Sequence, residues 1–215
     1  MKLIKTVLLA LCVAAASSAR AEEMSFRVID LESGGPQVIA AQGEIGEATP
    51  DAFLAFVREN ARGGNLHGIV LLDSPGGKVV ASMELGQAFR KLGMAVIVAR
   101  PAADRSRTMA LVSGRCYSAC VYALMGGRKR VIPAQSSVGV HRMFNYSTNF
   151  DIAGGGFVRE RNLDDGGMLQ TLSRYAAMMG VSTELVKLAE RTSPDRLYML
   201  TSADIARWRL GSRKL

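Results

Sequence analysis

The sequence predicts an α/β domain with a largely parallel sheet, and three observations carry that expectation. Gly68-Ile-Val-Leu-Leu72 and Met94 to Ala99 are uninterrupted apolar runs of the length that a strand buried on both faces requires. Segments with helical spacing follow them: Val80, Met83, Leu85, Ala88, Phe89 and Leu92 after the first, and Ser118 to Met125 after the second. Glycine pairs at Gly63-Gly64, Gly76-Gly77 and Gly126-Gly127 punctuate the alternation. Parallel neighbours need helical crossovers, so this order implies parallel pairing with active residues at strand ends.

The elements follow in order. Lys2 and Lys5 precede the apolar run Val7 to Ala16, and Ala19-Arg20-Ala21 is a small-x-small cleavage signal, so residues 1–21 read as a secretory signal peptide. An uncleaved anchor is the alternative, but the run is shorter than the roughly 18 apolar residues a spanning helix needs. Residues 22–215 are expected to form one domain. A strand is expected around Phe26 to Leu31, a turn at Gly34-Gly-Pro36 and a second strand at Val38 to Ala41. Thr49-Pro50-Asp51 supplies an N-cap, a proline in the first helical position and an early carboxylate ahead of Phe53, Leu54, Phe56 and Val57. Further strands are expected at Arg130 to Pro133 and Val138 to His141. Asn145 to Gly156, polar and glycine-rich without clear period, reads as a mobile loop near the cleft. Helices are expected over Asp164 to Met179, Ser182 to Arg191 and from Ser202 onward.

The chain carries a formal net charge of +8, and loss of Lys2, Lys5 and Arg20 with the leader leaves it mildly basic. With one Trp and no aromatics interleaved with Arg, nothing marks a nucleic-acid groove. Nor does any later segment call for stable membrane insertion. Cys12 leaves with the leader, so Cys116 and Cys120 remain as an even pair in an exported protein, which invites a disulfide that would lock the bend around Ser118. Two small buried thiols are the alternative.

Three segments gather chemistry. Asp73-Ser-Pro-Gly-Gly77 ends a buried strand with glycine amides able to face a developing oxyanion; Gly114-Arg-Cys-Tyr-Ser-Ala-Cys120 sets a hydroxyl at a helix start; Gly139-Val-His141 ends a strand with an imidazole. Serine needs a base to take its proton. Of the two histidines, His67 precedes a buried strand and reads as structural, whereas His141 sits where side chains of a parallel sheet meet the ligand crevice. The amides of Gly77 and Ala119 are the expected oxyanion donors. This chemistry needs neither cofactor nor metal.

These motifs resemble the Clp-protease proteolytic subunit and its relatives. Asp73-Ser-Pro-Gly-Gly77 looks like the family's oxyanion loop, Gly114 stands four residues before Ser118 as in its Gly-x-x-x-Ser turn, and Pro133 and His141 follow at nearly its spacing. The resemblance implies the ClpP/crotonase-like spiral of strand-strand-helix units and a serine peptidase, with Ser118 as nucleophile and His141 as base. It also implies an acid at Asp195, because Thr192-Ser-Pro-Asp-Arg196 is similar to the family's Thr-x-x-Asp-Arg pattern; Asp151 and Asp204 are rivals. Family members assemble into homo-oligomers, and the cytosolic ones are fed by an ATP-driven unfoldase. ATP is not supplied outside the cytoplasm, so a periplasmic or secreted member implies short, unfolded or loop-exposed peptide substrates. A related exported branch uses Lys as base; Lys78, Lys129 and Lys187 are this chain's candidates, and His141 at the matching place favours Ser/His. A non-catalytic exported scaffold is the rival reading, with a crotonase-type acyl-thioester enzyme behind it.

Overall fold

The computed structural model describes residues 22–31, 36–102, 111–151, 154–163 and 166–214. The expected signal peptide lies outside the described residues. Strand β1 (Ser25–Asp30) pairs antiparallel with β2 (Gln37–Gln42). Helix α1 (Thr49–Asn60) then leads to β3 (Leu66–Asp73), α2 (Val79–Lys91) and β4 (Ala95–Pro101). Strands β2, β3 and β4 run parallel, and β4 is flanked on its other side by the antiparallel β5 (Leu111–Ser113) and, farther along, by the parallel β7 (Lys129–Val131). The parallel sheet expected from the apolar runs is present.

Alternation within each run shows why these strands are apolar throughout. Ile39, Ala41, Val70, Leu72, Val96 and Val98 join the main core with Leu85 and Phe89 of α2, while Val38, Ala40, Leu71, Ile97 and Ala99 form a second cluster on the opposite face. Both faces exclude water, so both parities must be hydrophobic.

A second, smaller sheet holds β6 (Arg115–Tyr117), β8 (Ser137–Val140) and β11 (Tyr198–Met199), with β6 and β8 parallel. Helix α3 (Cys120–Met125) follows β6 directly and is buried along its whole length. It meets α2 main chain to main chain: a Cβ on Gly126 would stand 1.9 Å from the Gly86 carbonyl oxygen. Helices α4 (Gly167–Met178), α5 (Thr183–Arg191) and α6 (Ser202–Arg207) complete the chain near the expected positions. Ser182 caps α5 through Glu184 N–H, and Thr201 with Asp204 forms a capping box on α6.

Two expectations are corrected. Thr49 is not the cap of α1 but its first residue, and its hydroxyl accepts the Gly46 amide at 2.9 Å, bracing the approach instead. Most of the segment read as a loop forms an antiparallel ribbon, β9 (Phe144–Asp151) with β10 (Gly156–Leu163). Its register puts Phe144, Tyr146, Phe150, Phe157, Arg159, Arg161 and Leu163 on one face. Arg159 lies over the Tyr146 ring at 3.7 Å and Arg161 over Phe144 at 4.8 Å, so cation–π contacts replace the aliphatic pairs that usually advertise a strand.

Candidate active site

The expected oxyanion loop is built by the end of β3. Ser74 is fully buried; its amide donates to Arg115 O at 2.8 Å and its carbonyl accepts from Tyr117 N–H at 3.1 Å, which stitches the loop to β6. The Gly76 amide donates to Ser74 Oγ at 3.1 Å. Gly76 and Gly77 then take φ values of +114° and +136°, a region closed to side chains. A Cβ on Gly76 would stand 2.9 Å from Ser118 Cβ and 3.2 Å from Ala119 N, so the loop lies directly against the serine. Gly77 is pressed onto the other neighbour, Ile45, with Gly76 O accepting Ile45 N–H and Lys78 N–H donating to Ile45 O.

Ser118 occupies the bend between β6 and α3 with φ +54°, in the left-handed region that a non-glycine residue enters at a cost of about 1–2 kcal/mol. Three restraints hold it there. Its amide donates to Gly139 O at 2.9 Å, its carbonyl accepts Val121 N–H at 3.2 Å, and Cys116 and Cys120 on either side are joined by a disulfide with a Cα separation of 5.3 Å. The expectation of a bridge over the expectation of free thiols is thus met. One cysteine stands in a strand and the other in a helix, and the bend between them brings the pair closer than four helical residues would. Ser118 is half-buried and its hydroxyl bonds to no described group. Among the described residues, the Gly77 and Ala119 amides likewise donate to nothing, which leaves one unpaired N–H on the glycine loop and another on the residue that follows Ser118.

The parallel register Cys116↔Val138 and Tyr117↔Gly139 carries Ser118 alongside the end of β8, and His141 follows immediately. Its ring stacks on Phe144, centroids 5.9 Å apart, and its Nδ1 lies 2.8 Å from the Arg142 carbonyl oxygen. Ser118 and His141 therefore end adjacent parallel strands, though no hydrogen bond joins their side chains. His67 stands exposed near the opposite end of β3.

The third expected member does not join them. Asp195 is exposed, and its carboxylate holds Arg161 of β10; that hydrogen bond, reinforced by the guanidinium charge, keeps its pKa below the usual carboxylate range. Both rivals are also engaged elsewhere. Asp204 is lowered chiefly by the Thr201 hydroxyl it accepts in the α6 cap, and Asp151 pairs with Gly156 at the far tip of the ribbon, seven residues and roughly 23 Å of strand from Phe144. The lysines are surface groups: Lys78 pairs with Glu47 at 3.4 Å, Lys187 with Glu184 at 2.7 Å, and Lys129 is exposed in β7.

Sequence reasoning missed Arg142 and Glu190. Glu190 of α5 is a largely buried carboxylate, its Oε2 3.7 Å from Arg142 Nε. Its position four residues after the buried Val186 put it on the apolar side of the helix, the one signal available beforehand. Beside Gly114 a polar cavity of about 360 Å³ is walled by Asp73, Arg100, Arg115 and Gln135 among others; Ser118 and His141 do not line it.

No protein-family model matches the sequence, and no curated protein matches it. Solved structures do. A mutant of the 1510-N membrane-bound stomatin-specific protease superposes with a TM-score of 0.54 at 19% identity, covering 82% of this chain and 78% of its own. A second mutant of that protease, in complex with a substrate peptide, gives 0.53 at 19% identity over 83% and 75%. The 1510-N membrane protease specific for a stomatin homolog from Pyrococcus horikoshii gives 0.51 at 18% over 82% and 73%. The chain shares the α/β fold of these structures, with a largely parallel sheet. At such identities the likeness speaks for the fold alone.

Proposed function

We propose that the mature chain is an exported, periplasmic serine peptidase. Ser118 is the nucleophile and His141 the base: the imidazole takes the Oγ proton as Oγ bonds to the scissile carbonyl carbon, then returns it to the amine as the C–N bond breaks. Water repeats the sequence on the acyl-enzyme. The Gly77 and Ala119 amides receive the oxyanion, a contribution of about 3–4 kcal/mol for one such donor. The observation that carries this reading is the left-handed Ser118, held by a disulfide and two hydrogen bonds, with the Gly77 and Ala119 amides unpaired among the described residues. Strain of this kind persists only where the surroundings over-determine it. Substrates are short or unfolded peptides, because the reading includes no unfoldase, and the working form is a homo-oligomer, checked by light scattering of the purified mature chain.

A fluorophosphonate probe tests the mechanism. It should label the wild-type chain and not Ser118→Ala; absence of labelling, or equal labelling of both, refutes it. A non-catalytic scaffold is favoured by one observation, that Ser118 and His141 share no hydrogen bond here. Such contacts are often loose before substrate binds, and the probe decides between the two readings.

A further inference from the structure

Among the described residues, the hydrogen-bonding support of the His141 ring is a backbone carbonyl rather than Asp195 or another carboxylate. A carbonyl oxygen can only accept, so the 2.8 Å contact between His141 Nδ1 and Arg142 O requires the proton on Nδ1 and leaves the lone pair on Nε2. That is the tautomer a base for serine needs. A carbonyl on the neighbouring residue orients a ring only as well as its own residue is held, and Arg142 is held twice. Its amide donates to Thr192 O at 2.9 Å, just beyond the end of α5. Its side chain reaches back to the same helix, where Glu190 Oε2 lies 3.7 Å from Nε, with Arg142 34% and Glu190 12% exposed.

Glu190 is an expensive residue where it stands. Leu185, Val186 and Ala189 bury the face beside it, and the buried Tyr122 phenol is raised in pKa first by burial and then by the Glu190 charge. A carboxylate so placed destabilises the fold unless a cation answers it, and the Arg142 guanidinium is that cation.

We propose that Glu190 and Arg142 are positioning residues for His141: Glu190 grips the Arg142 side chain, and the Arg142 carbonyl thereby fixed holds the imidazole in the Nδ1–H form. Two anchors, Thr192 just past the end of α5 for the amide and Glu190 within it for the side chain, leave the Arg142 carbonyl little rotational freedom. The helix thus does through one intermediary what a carboxylate does directly in other Ser/His sites. Its catalytic consequence rests on the peptidase reading, but the state of the ring does not.

The experiment reads the ring first. The chain has two histidines, so ¹⁵N spectra of a His67→Gln background report His141 alone. In that background the neutral ring should show a protonated Nδ1 and a bare Nε2. Glu190→Gln, which keeps the shape and removes the charge, and Arg142→Ala should each give a mixture of tautomers. Turnover of a peptide substrate should then fall in kcat by between about tenfold and about 10⁴-fold, the upper figure being complete loss of the correct tautomer, with KM within about twofold. Arg142→Lys, which keeps a cation for Glu190, should recover part of the loss. Glu190→Gln carries the test should Arg142→Ala fail to fold. A protonated Nε2 in the parent, an unchanged ring in the Glu190 variant, or a collapse of kcat confined to Asp195→Asn overturns the proposal. Should the fluorophosphonate probe label nothing, the peptidase reading fails while the ring spectra still decide the positioning claim.

Discussion

Replacing Gly77 by alanine sets a methyl carbon 2.2 Å from the Ile45 carbonyl oxygen and 2.8 Å from the Ile45 nitrogen. Both neighbours are backbone atoms of a bridge that Gly76 O and Lys78 N–H close around Ile45, so no side chain can swing aside. The oxygen must retreat by about 1 Å, and φ +136° is itself strained for alanine by about 1–3 kcal/mol. Together these displace the loop that carries the Gly77 amide. A destabilisation of about 3 kcal/mol corresponds to a Tm lowered by roughly 6–12 °C in a chain of this size. Loss of one oxyanion donor lowers the rate by about 10²–10³-fold. Thermal melts followed by circular dichroism and fluorophosphonate labelling rates at 20 °C, where the variant remains folded, separate the two effects. Gly63→Ala is the control, since no atom lies within 4 Å of its added methyl and its φ is ordinary; it should leave labelling unchanged. A folded Gly77→Ala protein that labels at the wild-type rate would refute the assignment of that amide.

Other consequences are as specific. Reducing the Cys116–Cys120 bridge, or replacing both cysteines by serine, should cost only about 2 kcal/mol because the closed loop is five residues, yet slow labelling of Ser118 disproportionately; equal rates with and without the bridge would show that it does not hold the bend. Arg130 donates to the carbonyls of Met125, Gly127, Met179, Arg209 and Leu210, closing the ends of three helices, and burial lowers its pKa. Arg130→Lys cannot reproduce that fork and should destabilise by about 2–4 kcal/mol in urea melts without altering the site. The depressed Asp195 carboxyl stabilises the Arg161 contact fully above its unfolded pKa of about 3.9, and the contribution disappears as pH falls through the lower folded value. The Tm gap between wild type and Asp195→Asn should therefore close in strong acid and shrink in high salt; a gap independent of both would mean that the ion pair does nothing.

The parts of the fold that could be read from the chain are those whose burial is one-sided or complete along a continuous stretch. Val70 to Leu72 and Val96 to Val98 are apolar on both parities because the sheet is covered on both sides, and Leu172, Tyr175 and Ala176 keep helical spacing because one face of α4 is buried. Short elements carry no such period. Arg115–Tyr117 is a strand because Ser74 and Gly139 bracket it, partners about forty and twenty residues away. The ribbon escaped notice since neither of its faces is buried, and the face that carries its rings alternates them with arginines rather than aliphatics. At the site, the loop, the serine and the histidine were visible as local motifs, and their tertiary placement follows from strands that end together. Side-chain pairing between distant segments was not visible: nothing local tells that Asp195 meets Arg161 across 34 positions, or that Glu190 looks inward to Arg142.

Helix α2 leaves directly from the glycine loop and α3 directly from Ser118, and the two cross where Gly126 rests on Gly86. Peptide groups touch there without any intervening rotamer. The spacing between the glycine loop and the Ser118 bend is thus gauged largely by covalently rigid atoms, like two rulers pinned at a common rivet.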